Sequence, residues 1–321
     1  MQVDLIGVGS PIVDILTRVN DSFIAGIEGE KGGMVLVNDE EIQTLLKQLP
    51  EEKHTSPGGS AGNTIFAAAH LGVKTAFLGK IGNDDSAHFF RKELLAAGGQ
   101  DIHLKVGDIA NGQCISMVTP DSQRTMRTNL GAAMTLSPDE ITVEDFMDCK
   151  MAHIEGYLLF NPALIHKVLD SAKAAGCKIS LDLASFEVVG AAKNDLPEIL
   201  KKYVDIVFAN EDEAAALLDS RNYKKMAAQL GEWCDIAVVK MGKDGAYIAH
   251  KNEVIHTEAL VVEETIDTTG AGDLYAGGFL SACLKGKLLK EAGQQGSRLG
   301  AAVVQVMGTQ LSQSTWDALR F

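Results

Sequence analysis

From Met151 onward, short apolar runs alternate with amphipathic ones. Ala152-His153-Ile154 predicts a strand, and Pro162 to Ala175 predicts a helix with Pro at its start and Gly176 past its end. Ile179 to Asp182 and Asp205 to Ala209 are the next strands, followed by a helix from Glu211 to Leu218. Tyr223 to Trp233 is helical in pattern, and Ile236 to Lys240 is a β-branched strand. Such alternation calls for a parallel sheet covered by helices on both faces. Ligands of such sheets bind beyond the carboxyl ends of the strands, so chemistry is sought there.

The first third is less regular. Val3 to Val8 predicts a strand, and Gly58 to Ala69 a Gly-rich turn running into a helix. Asp84 caps a helix with Ala87, Phe90, Leu94 and Ala97 along one face and Gly98-Gly99 at its end. Ile12 to Val37 and Ile102 to Ala133 alternate like strands, with polar, Gly-containing joints, and break the helix–strand rhythm. They are expected to form a small β-rich lid on one α/β domain spanning 1–321.

Composition narrows the class. With 321 residues, 46% hydrophobic and 22% charged, the chain has material for a large core, which excludes disorder and a disulfide-stapled mini-protein. Lys+Arg 29 against Asp+Glu 43 gives −14, so nucleic acid is not an expected partner, and an anionic ligand needs a local electropositive pocket. The 5 cysteines are scattered, without a CxxC pair, as in a reducing compartment. Met1-Gln2-Val3-Asp4 carries an acid where an export signal carries basic residues. The longest uncharged stretch, Leu299 to Trp316, is interrupted by polar residues, so no membrane span is expected. A cytoplasmic protein is the expectation.

The richest chemistry lies in Asp267-Thr268-Thr269-Gly270-Ala271-Gly272-Asp273 and the small-residue helix that follows. A Gly-Ala-Gly turn opening a helix points backbone N–H groups, backed by the helix dipole, at one spot suited to phosphate oxygens. Asp273 then places a carboxylate beside that spot. A lone Asp in a first turn would merely complement the dipole. Beside an anion hole it can instead take the proton of a hydroxyl attacking a bound phosphoryl group.

DTTGAGD followed by GGF resembles the second signature of the ribokinase-like (PfkB) family of carbohydrate and nucleoside kinases. Gly58-Gly59-Ser60-Ala61-Gly62-Asn63 is similar to the first signature, Asn210-Glu211-Asp212-Glu213 to the N-x-x-E element, and Val238 to Gly242 to the nucleotide-binding strand and turn. Arg127 to Ala133 and Glu155 to Leu159 are similar to the adenosine-kinase branch. The resemblance implies a three-layer α/β/α fold with a mainly parallel central sheet and a small β-rich lid. It implies ATP-dependent phosphorylation of a hydroxymethyl group on a sugar or ribonucleoside. A non-catalytic sugar- or nucleoside-binding regulatory protein of the same fold is the alternative.

The resemblance also assigns roles. Asp273 is the expected base, with Gly270, Ala271 and Gly272 as the anion hole. Asp14, Gly58, Gly59 and Asn63 are expected to hold the acceptor, since a polyol needs several directional hydrogen bonds. Lys240, Gly242 and Thr268 are expected at the nucleotide, with Lys243 as a further counter-charge. Asn210 and Glu213 would orient waters around Mg²⁺, which keeps much of its hydration shell. Asp267, with the backbone around Gly308 and Ser312, is the candidate site for a monovalent cation such as K⁺. The lid is also a candidate surface for a homodimer. Gly7-Val8-Gly9 lacks the third glycine of a dinucleotide fingerprint, no GxxxxGK[ST] is present, and the histidines show no metal-ligand spacing.

Overall fold

The computed structural model describes residues 2–121 and 123–320. Its larger sheet has nine strands, in the spatial order Glu253–Thr257, Ala246–His250, Ile236–Lys240, Ile206–Asn210, Lys178–Asp182, Cys149–Glu155, Val3–Val8, Thr75–Ile81 and Leu104–Val106. Ala246–His250 is antiparallel to both neighbours, and the other pairs are parallel. Residues of alternating parity bury opposite faces. Ile154, Ile179, Leu181 and Val239 pack with the helix Pro162–Ala174 on one side. Leu5, Phe77, Phe208 and Val238 pack with the helices Ser60–His70 and Ala271–Leu284 on the other. The result is the three-layer α/β/α architecture, ribokinase-like in kind.

The helix predicted to reach Trp233 stops at Leu230, with Gly231 as its C-cap. Its apolar periodicity runs on because Trp233 still packs against the core from the following turn.

A second sheet of five strands has the order Met34–Leu36, Arg124–Gly131, Asn111–Val118, Val13–Arg18 and His54–Pro57. The helix Asp39–Gln48 covers one face, burying Ile42 and Leu45 against Ile15, Ile115 and Met117. Both ends of the expected insert therefore need correction. Leu104–Val106, placed in the insert by its alternation, extends the larger sheet beside Thr75–Ile81. His54–Pro57, beyond the expected limit at Val37, closes the smaller sheet beside Val13–Arg18. A short alternating run records one buried face and does not say which sheet buries it.

Among the described residues, no helix is long and apolar enough to cross a membrane. The strands ending at Val8, Glu155, Asp182, Asn210 and Lys240 present a common carboxyl edge, and the smaller sheet adjoins it through the short link from Val8 to Val13.

Candidate active site

The turn at residues 268–270 sets the centre of the site. Gly270 has φ +69°, and a Cβ there would overlap the Thr309 methyl, so a glycine is required. The helix Ala271–Leu284 follows without a side-chain cap, and Leu274 makes the first helical bond, N–H to Gly270 C=O at 2.8 Å. Ala271 N–H donates within the turn to Thr268 C=O at 3.2 Å. Gly272 and Asp273 then carry the first-turn amides at the positive end of the dipole.

The Asp273 carboxylate is fixed from both sides. Ser60 Oγ donates to Oδ1 at 2.9 Å, and Asn63 Nδ2 donates to Oδ2 at 2.8 Å. Thr64 Oγ1 donates to the Asp273 carbonyl at 3.0 Å, tying the two helices together. Burial pushes Asp273 up to about 6, and Asp182 adds to this, while the donors Asn63 and Ser60 and the charge of Lys240 hold it down. Asn63 is buried, and its Nδ2 is engaged by Asp273.

Lys240 and Asp182 end adjacent-but-one strands and form an ion pair, Nζ to Oδ2 at 2.8 Å. The ammonium lies 3.0 Å from the position a Cβ would take at Gly272, so Lys240 belongs to the site and not to the outer surface. Asn210 and Glu213 form a capping box at the start of the helix Glu211–Leu218. Asn210 Nδ2 donates to Glu213 Oε1 at 2.7 Å, and its backbone N–H to Oε2 at 2.8 Å. Glu213 is buried, and burial together with Asp182 raises it to about 7. With both carboxylate oxygens already accepting, this pair fits Mg²⁺ held through water better than direct coordination. Among the described residues, no cluster of three or more His, Cys, Asp or Glu could hold a metal by itself.

The smaller sheet contributes Asp14, whose carboxyl group lies against Gly58; a Cβ at Gly58 would overlap it. Burial raises Asp14 to about 7; Arg124 opposes the shift, and Asp273 and Asp267 reinforce it. Gly59, with φ +85°, brings the chain so close to Ser10 C=O that a Cβ could not fit. The Asp267 carboxylate accepts from Thr269 N–H at 2.9 Å, Thr269 Oγ1 at 2.5 Å and Gly308 N–H at 2.9 Å. It thereby braces the turn at residues 268–270. Ser312 caps the helix Gln313–Leu319. Gly242 lies in the exposed turn after Lys240 at φ +51°, and Thr268 and Lys243 are exposed.

Three site residues escaped the sequence reading. Arg124, on the smaller sheet, donates to Thr269 Oγ1 and so links that sheet to the turn at residues 268–270; nothing in its sequence context marks it. Glu155 accepts from Ser10 N–H at 2.8 Å and Ala61 N–H at 3.2 Å, and burial raises it to about 7. Gly9 is a glycine because a Cβ there would overlap this carboxylate. Glu155 and Asp182 both end strands that the pattern predicted, so an acid at a carboxyl edge was the available signal. A cavity of about 420 Å³ opens beside this edge, lined by residues 256–260 with Lys290, Gln294, Ser297 and Arg298.

The sheet order, the Gly-Ala-Gly turn and the braced carboxylate together describe a phosphotransferase. The family model of pfkB family carbohydrate kinases matches residues 34–316, and the chain belongs to that family. Ribokinase from Staphylococcus aureus is 31% identical over 276 residues, covering 82% of this chain and 87% of the relative. The crystal structure of adenosine kinase from Sinorhizobium meliloti superposes with a TM-score of 0.89 at 30% identity, covering 99% of this chain and 98% of that one. A putative ribokinase II from E. coli, in complex with ATP and Mg²⁺, shares the fold with a TM-score of 0.80 at 23% identity, covering 99% and 98%. These likenesses support a sugar or nucleoside kinase and not the non-catalytic alternative.

Proposed function

We propose that the chain transfers the terminal phosphoryl group of ATP to the hydroxymethyl oxygen of a ribofuranose, with a ribonucleoside as the favoured acceptor. The observation that carries this reading is Asp273, gripped by Ser60 and Asn63 at the start of the helix Ala271–Leu284. An acid at about 6 is ionised at neutral pH and can still take a hydroxyl proton as the oxygen attacks phosphorus. Gly272 and Asp273 amides, Lys240 and Arg124 surround the same point and offset the charge on the phosphoryl oxygens. Mg²⁺, bound to the nucleotide, would add charge neutralisation, its waters oriented by Asn210 and Glu213. The cavity beside the 256–260 segment is suited to the rest of the nucleotide, with Lys290 and Arg298 at its wall. Asp14 faces the acceptor side, and Glu155, buried with both oxygens accepting from Ser10 and Ala61 N–H, braces the chain beside it.

A nucleoside is favoured over a free sugar by Tyr157, which follows Glu155 at the sheet edge. Tyr157 remains 40% exposed, and Glu155, Asp273 and Glu213 lie within its electrostatic reach. An aromatic face beside the acceptor groups suits the stacking of a base and is wasted on a polyol. The test is an acceptor panel with ATP and Mg²⁺, read by coupled ADP release, that includes adenosine, cytidine, ribose and fructose. Turnover greatest on a nucleoside is expected. Turnover on sugars alone removes the role of Tyr157, and ADP release that none of the four acceptors raises above the acceptor-free rate contradicts transfer to a ribofuranose.

A further inference from the structure

We propose that Asp182 is a positioning residue that holds the Lys240 ammonium over the first turn of the helix Ala271–Leu284, where it meets the phosphoryl group in transfer. The proposal rests on the kinase reading above and adds to it a pair of residues and the order in which they act.

The pair follows from register. Asp182 lies opposite Phe208, and Asn210 lies opposite Lys240, so Asp182, Phe208 and Lys240 share one face of the larger sheet. That face looks toward the helix Ala271–Leu284, as the edge-on contact of Phe208 with Phe279 at 5.4 Å records. The Lys240 stem runs along the Phe208 ring, Nζ 5.8 Å from its centre, and reaches the Gly272 turn.

An ammonium beside a helix N-terminus sets two positive ends against each other. That arrangement is stable only with negative charge between or beside them. Asp182 supplies it in the absence of nucleotide, with 5% of its side chain exposed against 13% for Lys240. Glu213 is also within electrostatic reach, but both its oxygens are engaged by Asn210. Asp182 is itself held still, since Oδ1 accepts from Ala184 N–H at 3.0 Å, with Ala184 at φ +65°. His153, on the same face, turns Nδ1 to Ser180 Oγ at 3.1 Å and does not compete for the carboxylate.

A buried ion pair is a weak way to stabilise a fold, because desolvation offsets most of the attraction. Its placement against an anion-binding turn therefore points to chemistry. An ammonium has three donors, and Asp182 takes one, so phosphoryl oxygens can be received without breaking the pair. In the transfer, the bond from acceptor oxygen to phosphorus forms as that to the leaving phosphate oxygen breaks. The hydroxyl proton passes to Asp273. Lys240 forms no bond and keeps its protons throughout.

Asp182→Asn keeps the shape and an acceptor oxygen but loses the charge. It is expected to lower ATP affinity and kcat each about tenfold, and Lys240→Met each about a hundredfold, the range of a charged hydrogen bond. The acceptor KM should stay within about twofold in both, which a general loosening of the site would not spare. The double variant should match Lys240→Met in ATP affinity by calorimetry without acceptor, because Asp182 acts only through Lys240. It should also melt higher than Lys240→Met, which leaves Asp182 buried without its counter-ion. Losses of ATP affinity that multiply in the double variant, or wild-type affinity and kcat in Asp182→Asn, overturn the proposal. Failure of the kinase reading looks different: the wild-type protein transfers phosphoryl to no acceptor, while the calorimetric cycle on ATP still reports on the pair.

Discussion

The site has two sides, and they hold their acids differently. On the larger sheet and its covering helices, Asp273 has a donor on each oxygen and Asp182 is locked to Lys240 and to Ala184 N–H. On the smaller sheet, Asp14 sits against Gly58, with the charge of Arg124 opposing the effect of its burial. Arg124 also spans the two sides by reaching Thr269. One side is organised before any substrate arrives, and the other keeps an acid whose charge is completed by what binds. Preorganised charge lowers the barrier to transfer, whereas a group awaiting a partner governs recognition. Substitutions on the first side should therefore act on kcat and those on the second on acceptor KM.

Asp273→Asn is the hardest test of that division and carries the largest effect. It keeps the bulk and one acceptor oxygen near Ser60 and Asn63 but removes the base. Turnover is expected to fall about 10²–10⁴-fold, as for loss of a general base, with ATP and acceptor affinities within about threefold. Steady-state kinetics with calorimetry check it. Turnover within tenfold of wild type would take Asp273 out of the chemistry.

Asp14→Asn probes the other side. Acceptor KM is expected to rise about 10–100-fold, the worth of a charged hydrogen bond, with kcat changed far less. The same variant should be more stable than wild type at high pH. The folded protein raises Asp14 from 3.8 to about 7, so it binds the proton more tightly than the unfolded chain does. Stability is then lost as pH rises from about 4 through 7, and Asn, which cannot ionise, escapes that loss. Thermal melts should favour the variant by about 1–3 kcal/mol at pH 8, with the advantage shrinking toward pH 5. A variant less stable than wild type at pH 8 contradicts the burial argument, and a KM unchanged contradicts recognition by Asp14.

The same division explains what was legible in the sequence. The larger sheet announces itself because its central strands are buried on both faces and helices such as Pro162–Ala174 on one, giving runs and periods such as Ile236 to Lys240. Its Gly-Ala-Gly turn was visible because glycines at 270 and 272 have few uses other than close approach. The smaller sheet spreads its pairing over segments far apart in sequence, so Leu104–Val106 and His54–Pro57 were assigned to the wrong sides of its boundary. The partner of Asn63 was hidden for a related reason. Its spacing shows that an amide is needed there, but not that the partner is a carboxylate 210 residues away. Arg124 depends on a pairing across the two sheets that no local pattern records.

The smallest effect, and the sharpest on how the first side is organised, concerns Asn63. Its Nδ2 donates to the ionised form of Asp273 and so lowers the proton affinity that burial raises. Asn63→Leu keeps the bulk, removes the donor and leaves Ser60 as the remaining side-chain donor. The sign follows: with less stabilisation of the carboxylate, Asp273 titrates above its present value near 6, and the acidic limb of the kcat profile moves to higher pH. At pH 6 the variant should lose several-fold more of its kcat than at pH 8, with the acceptor KM nearly constant across the range. If Asn63 instead holds the acceptor, the loss falls on KM and is the same at both pH values. The pH dependence of kcat and of KM in one variant thus decides whether this amide belongs to the preorganised side of the site or to the side that recognises the acceptor.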